Sequence, residues 1–175
     1  QTSAEQLACT ATTGPAAWTN TLDSVANPSN FTKLTANTSA CLEVVPHPVL
    51  TKAFAPTSFN TGAFSVLSFT ISNDIGAPSV SGIGYTDTLP TGLEIAGPPT
   101  ITNSCDTLGT VNAVAGSSTI SISGVGLNAG TNSCTISLRV TNKAGQTNPS
   151  CVTNPAAFTN GNGNISALAG GLQNA

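Results

Sequence analysis

Charge is what this chain has least of. Asp, Glu, Lys and Arg make up 6% of its 175 residues, where an ordinary soluble domain carries about 25%. Its cations are Lys33, Lys52, Arg139 and Lys143, and with seven acidic residues the net charge is -3. Such a surface offers no basic stripe for phosphates, which excludes nucleic acid as a partner and disfavours anionic membranes. Long hydrophobic runs are missing too: none approaches the ~18 residues of a spanning helix, so no membrane span is expected. Nor does the chain open on a basic segment followed by an apolar stretch; a signal peptide, had there been one, is expected to have been removed.

Histidine is almost absent. His47 stands alone between Pro46 and Pro48, whereas a Ser-His-Asp arrangement needs a nucleophile in reach and a third group to orient the base. A structural role in a linker is the preferred reading, and no catalytic residue is assigned. Asp87 adjoins the turn from Leu89 to Gly92 and reads as a turn cap rather than an acid or base. Asp74, Asp87, Glu94 and Asp106 lack the spacing of a calcium loop. The cysteines have neither CxxC spacing nor neighbouring histidines for zinc. Neither a metal nor a cofactor is expected.

What fills the polar positions is Ser, Thr, Asn and Gly, beside 39% apolar residues, enough to bury a core in a chain of this length. Five cysteines, Cys9, Cys41, Cys105, Cys134 and Cys151, in a lysine-poor, Thr-rich chain fit an oxidising exterior where thiols pair. The expected location is therefore extracellular or at the cell surface. Five is odd, so one thiol is left free or bonds another chain. Asn30, Asn37 and Asn164 each begin an N-x-[ST] triplet and are candidate glycosylation sites. Composition alone also produces such triplets in a chain so rich in these residues, and O-linked sugar is an equal candidate.

Alternation of apolar and polar residues runs through 63–72 (AFSVLSFTIS), 118–123 (STISIS) and 134–140 (CTISLRV), which predicts strands with one buried face. Turn clusters are expected at 73–78, 89–92, 97–99, 124–130 and 143–149. No stretch of about ten residues keeps a helical stripe free of Gly, Pro or β-branched clusters. The fold class is all-β, with the strand spacing of a sandwich. Phe64 and Phe69 fall on opposite faces by parity, so one of them is expected outside the core.

PVLTKAFAP, FSVLSFTISN, YTDTLPTGLEIAGPP, GSSTISISG and NAGTNSCTISLRVTN follow one another in order from Pro48 to Asn142. In this the chain resembles the Thr/Gly-rich β-sandwich repeat of bacterial cell-surface proteins, a conserved repeat of unknown function, over about residues 46–175. The resemblance implies an immunoglobulin-like antiparallel sandwich, an extracellular location and no catalysis. It divides the chain into an N-terminal arm, 1–45, and a sandwich, 46–175. Cys105 and Cys134 border strand-like runs of the resembled domain and are the expected intrachain disulfide. Cys9 with Cys41 is the next choice, and Cys41 with Cys151 of a neighbouring copy is its rival.

Members of that repeat close on a strand of the form NTASATLTV, yet this chain stops at Leu172 to Ala175, while Asn37 to Val45 (NTSACLEVV) looks like the closing strand placed first. The head, Cys9 to Asn20 (CTATTGPAAWTN), also echoes Cys151 to Asn160 (CVTNPAAFTN). A sandwich without its last strand leaves unpaired backbone that an incoming strand would satisfy. The expectation is a structural subunit of an extracellular, pilus-like fibre whose partners are identical copies, each donating Asn37 to Val45 head to tail. Its interface residues are Asn37, Ala40, Cys41, Leu42, Val44 and Val45, with Trp18 as anchor. The alternatives are a repeat of a large adhesin or stalk protein, and a carbohydrate-binding module that takes glycans on exposed aromatic residues.

Overall fold

The computed structural model of the chain describes residues 19–21, 39–41, 47–75, 77–146 and 158–175. Strand β1 (Thr19–Thr21) pairs antiparallel with β2 (Ser39–Cys41) as a two-stranded sheet of their own. Ten further strands follow: β3 (Val49–Ala55), β4 (Ser65–Ser72), β5 (Val80–Thr88), β6 (Leu93–Ile95), β7 (Thr102–Asn103), β8 (Thr110–Ala113), β9 (Thr119–Leu127), β10 (Ser133–Asn142), β11 (Ile165–Ala169) and β12 (Gln173–Asn174). One sheet runs β12-β3-β4-β10-β6, with β7 also on β10, and the other runs β11-β5-β9-β8. The two pack as an all-β sandwich. Among the described residues the one helical element is a 3-10 turn, Asn162–Asn164.

Period-two patterning decides which faces meet. Leu67, Phe69 and Ile71 of β4 and Ile136, Leu138 and Val140 of β10 are buried from one sheet, and Ile83 and Tyr85 of β5 with Ile120 and Ile122 of β9 from the other. Phe69 meets Tyr85 across the layer with ring centroids 5.3 Å apart, the tilted geometry aromatic quadrupoles favour. The parity reading of Phe64 holds: it is 41% exposed and lies under the Arg139 guanidinium, 4.1 Å from its centroid.

One expectation needs correcting. The segment from Gly124 was read as the start of a turn, yet β9 continues to Leu127. Pairing passes from Tyr85↔Ile122 to Ile83↔Val125, so β9 carries one extra residue there, a β-bulge accommodated by Gly124 at φ 71. The bulge shifts the buried parity from 120 and 122 to 125 and 127, and so hides the strand from a period-two reading. The expected antiparallel sandwich is present with one departure at its edge, where β12 pairs parallel with β3 through Gln173↔Val49 and Asn174↔Leu50. Leu172 is buried just before β12, which draws the tail onto that edge.

The expected disulfide is present between Cys105 and Cys134, with Cα atoms 4.8 Å apart and a sequence separation of 29. It fastens the segment after β7 to the start of β10. A Cys105→Ser, Cys134→Ser double variant should lose about 3 to 4 kcal/mol by the chain-entropy relation, read as a lower urea midpoint.

Tyr85 is the chain's single tyrosine, and its hydroxyl is buried with no hydrogen-bond partner among the described residues. Burial, and then the negative charge of Asp87, push its phenol far above the ordinary tyrosine range. The folded state thus holds this proton where the unfolded chain releases it, so stability is intact below ~10, the unfolded value, and declines as pH rises beyond it. An alkaline titration should show no phenolate absorbance until the protein unfolds, and Tyr85→Phe should remove that part of the alkaline sensitivity.

A buried lysine, aspartate and asparagine as the candidate functional site

Strand β3 points Leu50, Lys52 and Phe54 inward by alternation, and β5 does the same with Ile83, Tyr85 and Asp87. The two strands belong to different sheets, so parity brings a cation and a carboxylate face to face inside the sandwich. Lys52 Nζ lies 3.0 Å from Asp87 Oδ1, with side-chain exposures of 7% and 0%. Desolvating two charges is costly, and such a pair persists where the remaining donors and acceptors are also satisfied.

Those partners come from the segment leading into β11. Lys52 Nζ donates to Asn160 Oδ1 at 2.7 Å and to the Gly161 carbonyl at 2.7 Å, which uses all three ammonium donors. Asn160 Nδ2 donates to Asp87 Oδ2 at 2.8 Å. One carboxylate therefore holds the lysine nitrogen through one oxygen and the asparagine nitrogen through the other. Asn164 supports the segment: its Oδ1 accepts from Gly161 N at 3.0 Å and its Nδ2 donates to Thr88 O at 2.6 Å.

This arrangement corrects the reading of Asp87. It is not a turn cap but the buried counter-ion of Lys52, because the last inward position of β5 leaves it no water. Lys52 and Asn160 lie outside the site residues expected from the sequence. Parity carried a signal for Lys52, since it alternates with Leu50 and Phe54, while Asn160 lies outside any strand and has no periodic signature.

The other expected site residues are dispersed. His47 is exposed, and Asn164, a glycosylation candidate, has its amide nitrogen engaged by Thr88. Asp106 Oδ2 accepts the Asn128 N–H at 2.7 Å, and that bond, followed by one to Thr131, holds its carboxyl below the usual carboxylate range. Cys9, Trp18, Asn30, Asn37, Leu42, Val44, Val45 and Cys151 lie outside the described residues, and Ala40 and Cys41 enter only through the backbone pairing of β2 with β1. Among the described aromatic residues, Phe69 and Tyr85 are buried and Phe54 and Phe158 pack on the core.

Residues 48–174 match a family described as a domain of unknown function, DUF7933. The chain belongs to the DUF7933 family. The match spans every strand from β3 to β12, so Lys52, Asp87, Asn160 and the Cys105–Cys134 disulfide all fall inside the DUF7933 domain. No curated protein matches the chain. Among the described residues no helix is long and apolar enough to cross a membrane.

Removing the cation should expose the cost of the buried carboxylate. Lys52→Met should destabilise the DUF7933 domain by at least about 3 kcal/mol in urea unfolding, whereas Asp74→Asn on the exposed turn should stay within about 0.5 kcal/mol.

Proposed function

We propose that this protein is a structural subunit of an extracellular fibre, held to identical copies by strand addition. The observation that carries the reading is that, among the described residues, two strand edges on one side of the sandwich have no neighbouring strand along most of their length. β3 is paired by β12 only at Val49 and Leu50, so no described strand lies along Thr51–Ala55 on that side. β11 is the end strand of the other sheet. The two edges are neighbours, because Lys52 of β3 bonds Asp87 and Asp87 pairs with Ile165 of β11. Leu168 of β11 is 45% exposed there.

A strand edge beside exposed apolar surface suits an incoming strand, which supplies ladder hydrogen bonds and side chains at alternate positions. Asn37 to Val45 of another copy is the proposed occupant, on its resemblance to the strand that closes the cell-surface repeat. A head-to-tail contact of this kind is heterologous and extends into a filament. The disulfide, the sparse charge and the hydroxyl-rich composition support an extracellular setting. Nothing in the reading calls for turnover, and the buried cluster serves to hold the two sheets together.

Full-length protein at rising concentration should assemble into filaments visible by electron microscopy. An excess of a synthetic peptide covering Asn37 to Val45 should shorten them by occupying the acceptor edges. Protein that stays monomeric in sedimentation, with no peptide binding, would show that the open edges are not used this way.

A further inference from the structure

The contact between Lys52 and Asn160 is that of an amine against a primary amide. Nζ lies 2.7 Å from Oδ1, so the amide carbon, one carbonyl bond of ~1.2 Å further on, is no more than about 4 Å from the nucleophile. This approaches the separation from which positioned groups react. We propose that Lys52 and Asn160 become joined by an isopeptide bond that the folded domain forms in itself, with Asp87 moving the protons. The inference stands on the buried cluster alone and does not require the fibre.

The chemistry balances without an added reagent. A proton passes from Nζ to Asp87 Oδ1 and frees the lysine lone pair, which attacks Asn160 Cγ. As the Nζ–Cγ bond forms, the Cγ–Nδ2 bond breaks. Asp87 already contacts Nδ2 through Oδ2, so a proton given up by Nζ reaches the leaving nitrogen by way of the same carboxyl group, and ammonia departs. Ammonium, carboxylate and primary amide become a secondary amide, a carboxylic acid and ammonia, with hydrogens and charge conserved. A depression of about 240 Å³, lined in part by Lys52, Asn160 and Asn162, opens beside the site and gives the ammonia an exit.

Burial supplies both the driving force and the selectivity. The reaction replaces an ion pair that is costly to desolvate with neutral groups, and the scarcity of water around side chains exposed by 7% and 0% suppresses hydrolysis of the amide. The product would tie β3 of one sheet to the segment entering β11 of the other.

Mass spectrometry of the full-length chain decides the matter. After reduction, trypsin should fail to cut at Lys52 and should yield Leu34–Arg139 covalently joined to Ala144–Ala175, lighter by one ammonia, about 17 Da. Separate peptides Leu34–Lys52, Ala53–Arg139 and Ala144–Ala175 at unmodified mass would overturn the proposal. A link from Lys52 to Asp87, lighter by one water or about 18 Da, would overturn Asn160 as the acceptor. Asn160→Ala should restore cleavage at Lys52 in a folded protein, and a persisting link in Asp87→Asn would overturn the proton-carrying role.

Discussion

A lysine and an aspartate enclosed between two sheets constrain everything around them. Neither group tolerates a dry interior alone, so each must find the other at hydrogen-bonding distance, and the donors and acceptors left over must be met as well. That requirement fixes the spacing of β3 against β5 and recruits Asn160 and Gly161 to complete the shell. The irregular segment before β11 is thereby held against the inner face of the other sheet. In a chain with only 6% charged residues, two of them meet inside the fold at this contact.

The rest of the sandwich obeys ordinary packing. Alternating apolar residues of β4, β5, β9 and β10 fill the layer, and the disulfide anchors the segment after β7 to β10. The bulges let one long strand satisfy two phases of the core. Across Gly124 the buried positions of β9 change parity, and β5 carries a compensating irregularity between Val80 and Ile83, where Gly82 has φ 69. Without the bulge at Gly124, Val125 and Leu127 would face solvent.

The β3 edge and the buried cluster lie on the same side of the molecule, so the proposed strand addition would draw on the same contacts that stabilise the fold. Edge strands invite pairing with other chains and are ordinarily protected. Among the described strands, β12 covers β3 on that side through a two-residue parallel contact at its start, while the polar cluster braces the strand immediately beyond it. A braced open edge can present a fixed register to an incoming strand, because the acceptor does not have to be ordered at the moment of binding.

Much of this was legible in the residues. Alternation located β4, most of β9 and β10, the turn residues separated them, and the same parity places Lys52 and Asp87 on inner faces, although the turn beside Asp87 invited a local explanation. Cys105 and Cys134 were identified as a pair from their place beside strands. The sequence by itself determined the all-β class, the core-facing side of each regular strand and the absence of a basic surface, since these follow from period and composition. Only the tertiary structure decided that Lys52 meets Asp87 and Asn160, that β9 runs on through Gly124, and that β12 lies parallel to β3. Those outcomes depend on residues 35 to 124 positions apart and on segments without periodicity, where the encounter is set by how the strands and sheets close on each other rather than by any local pattern.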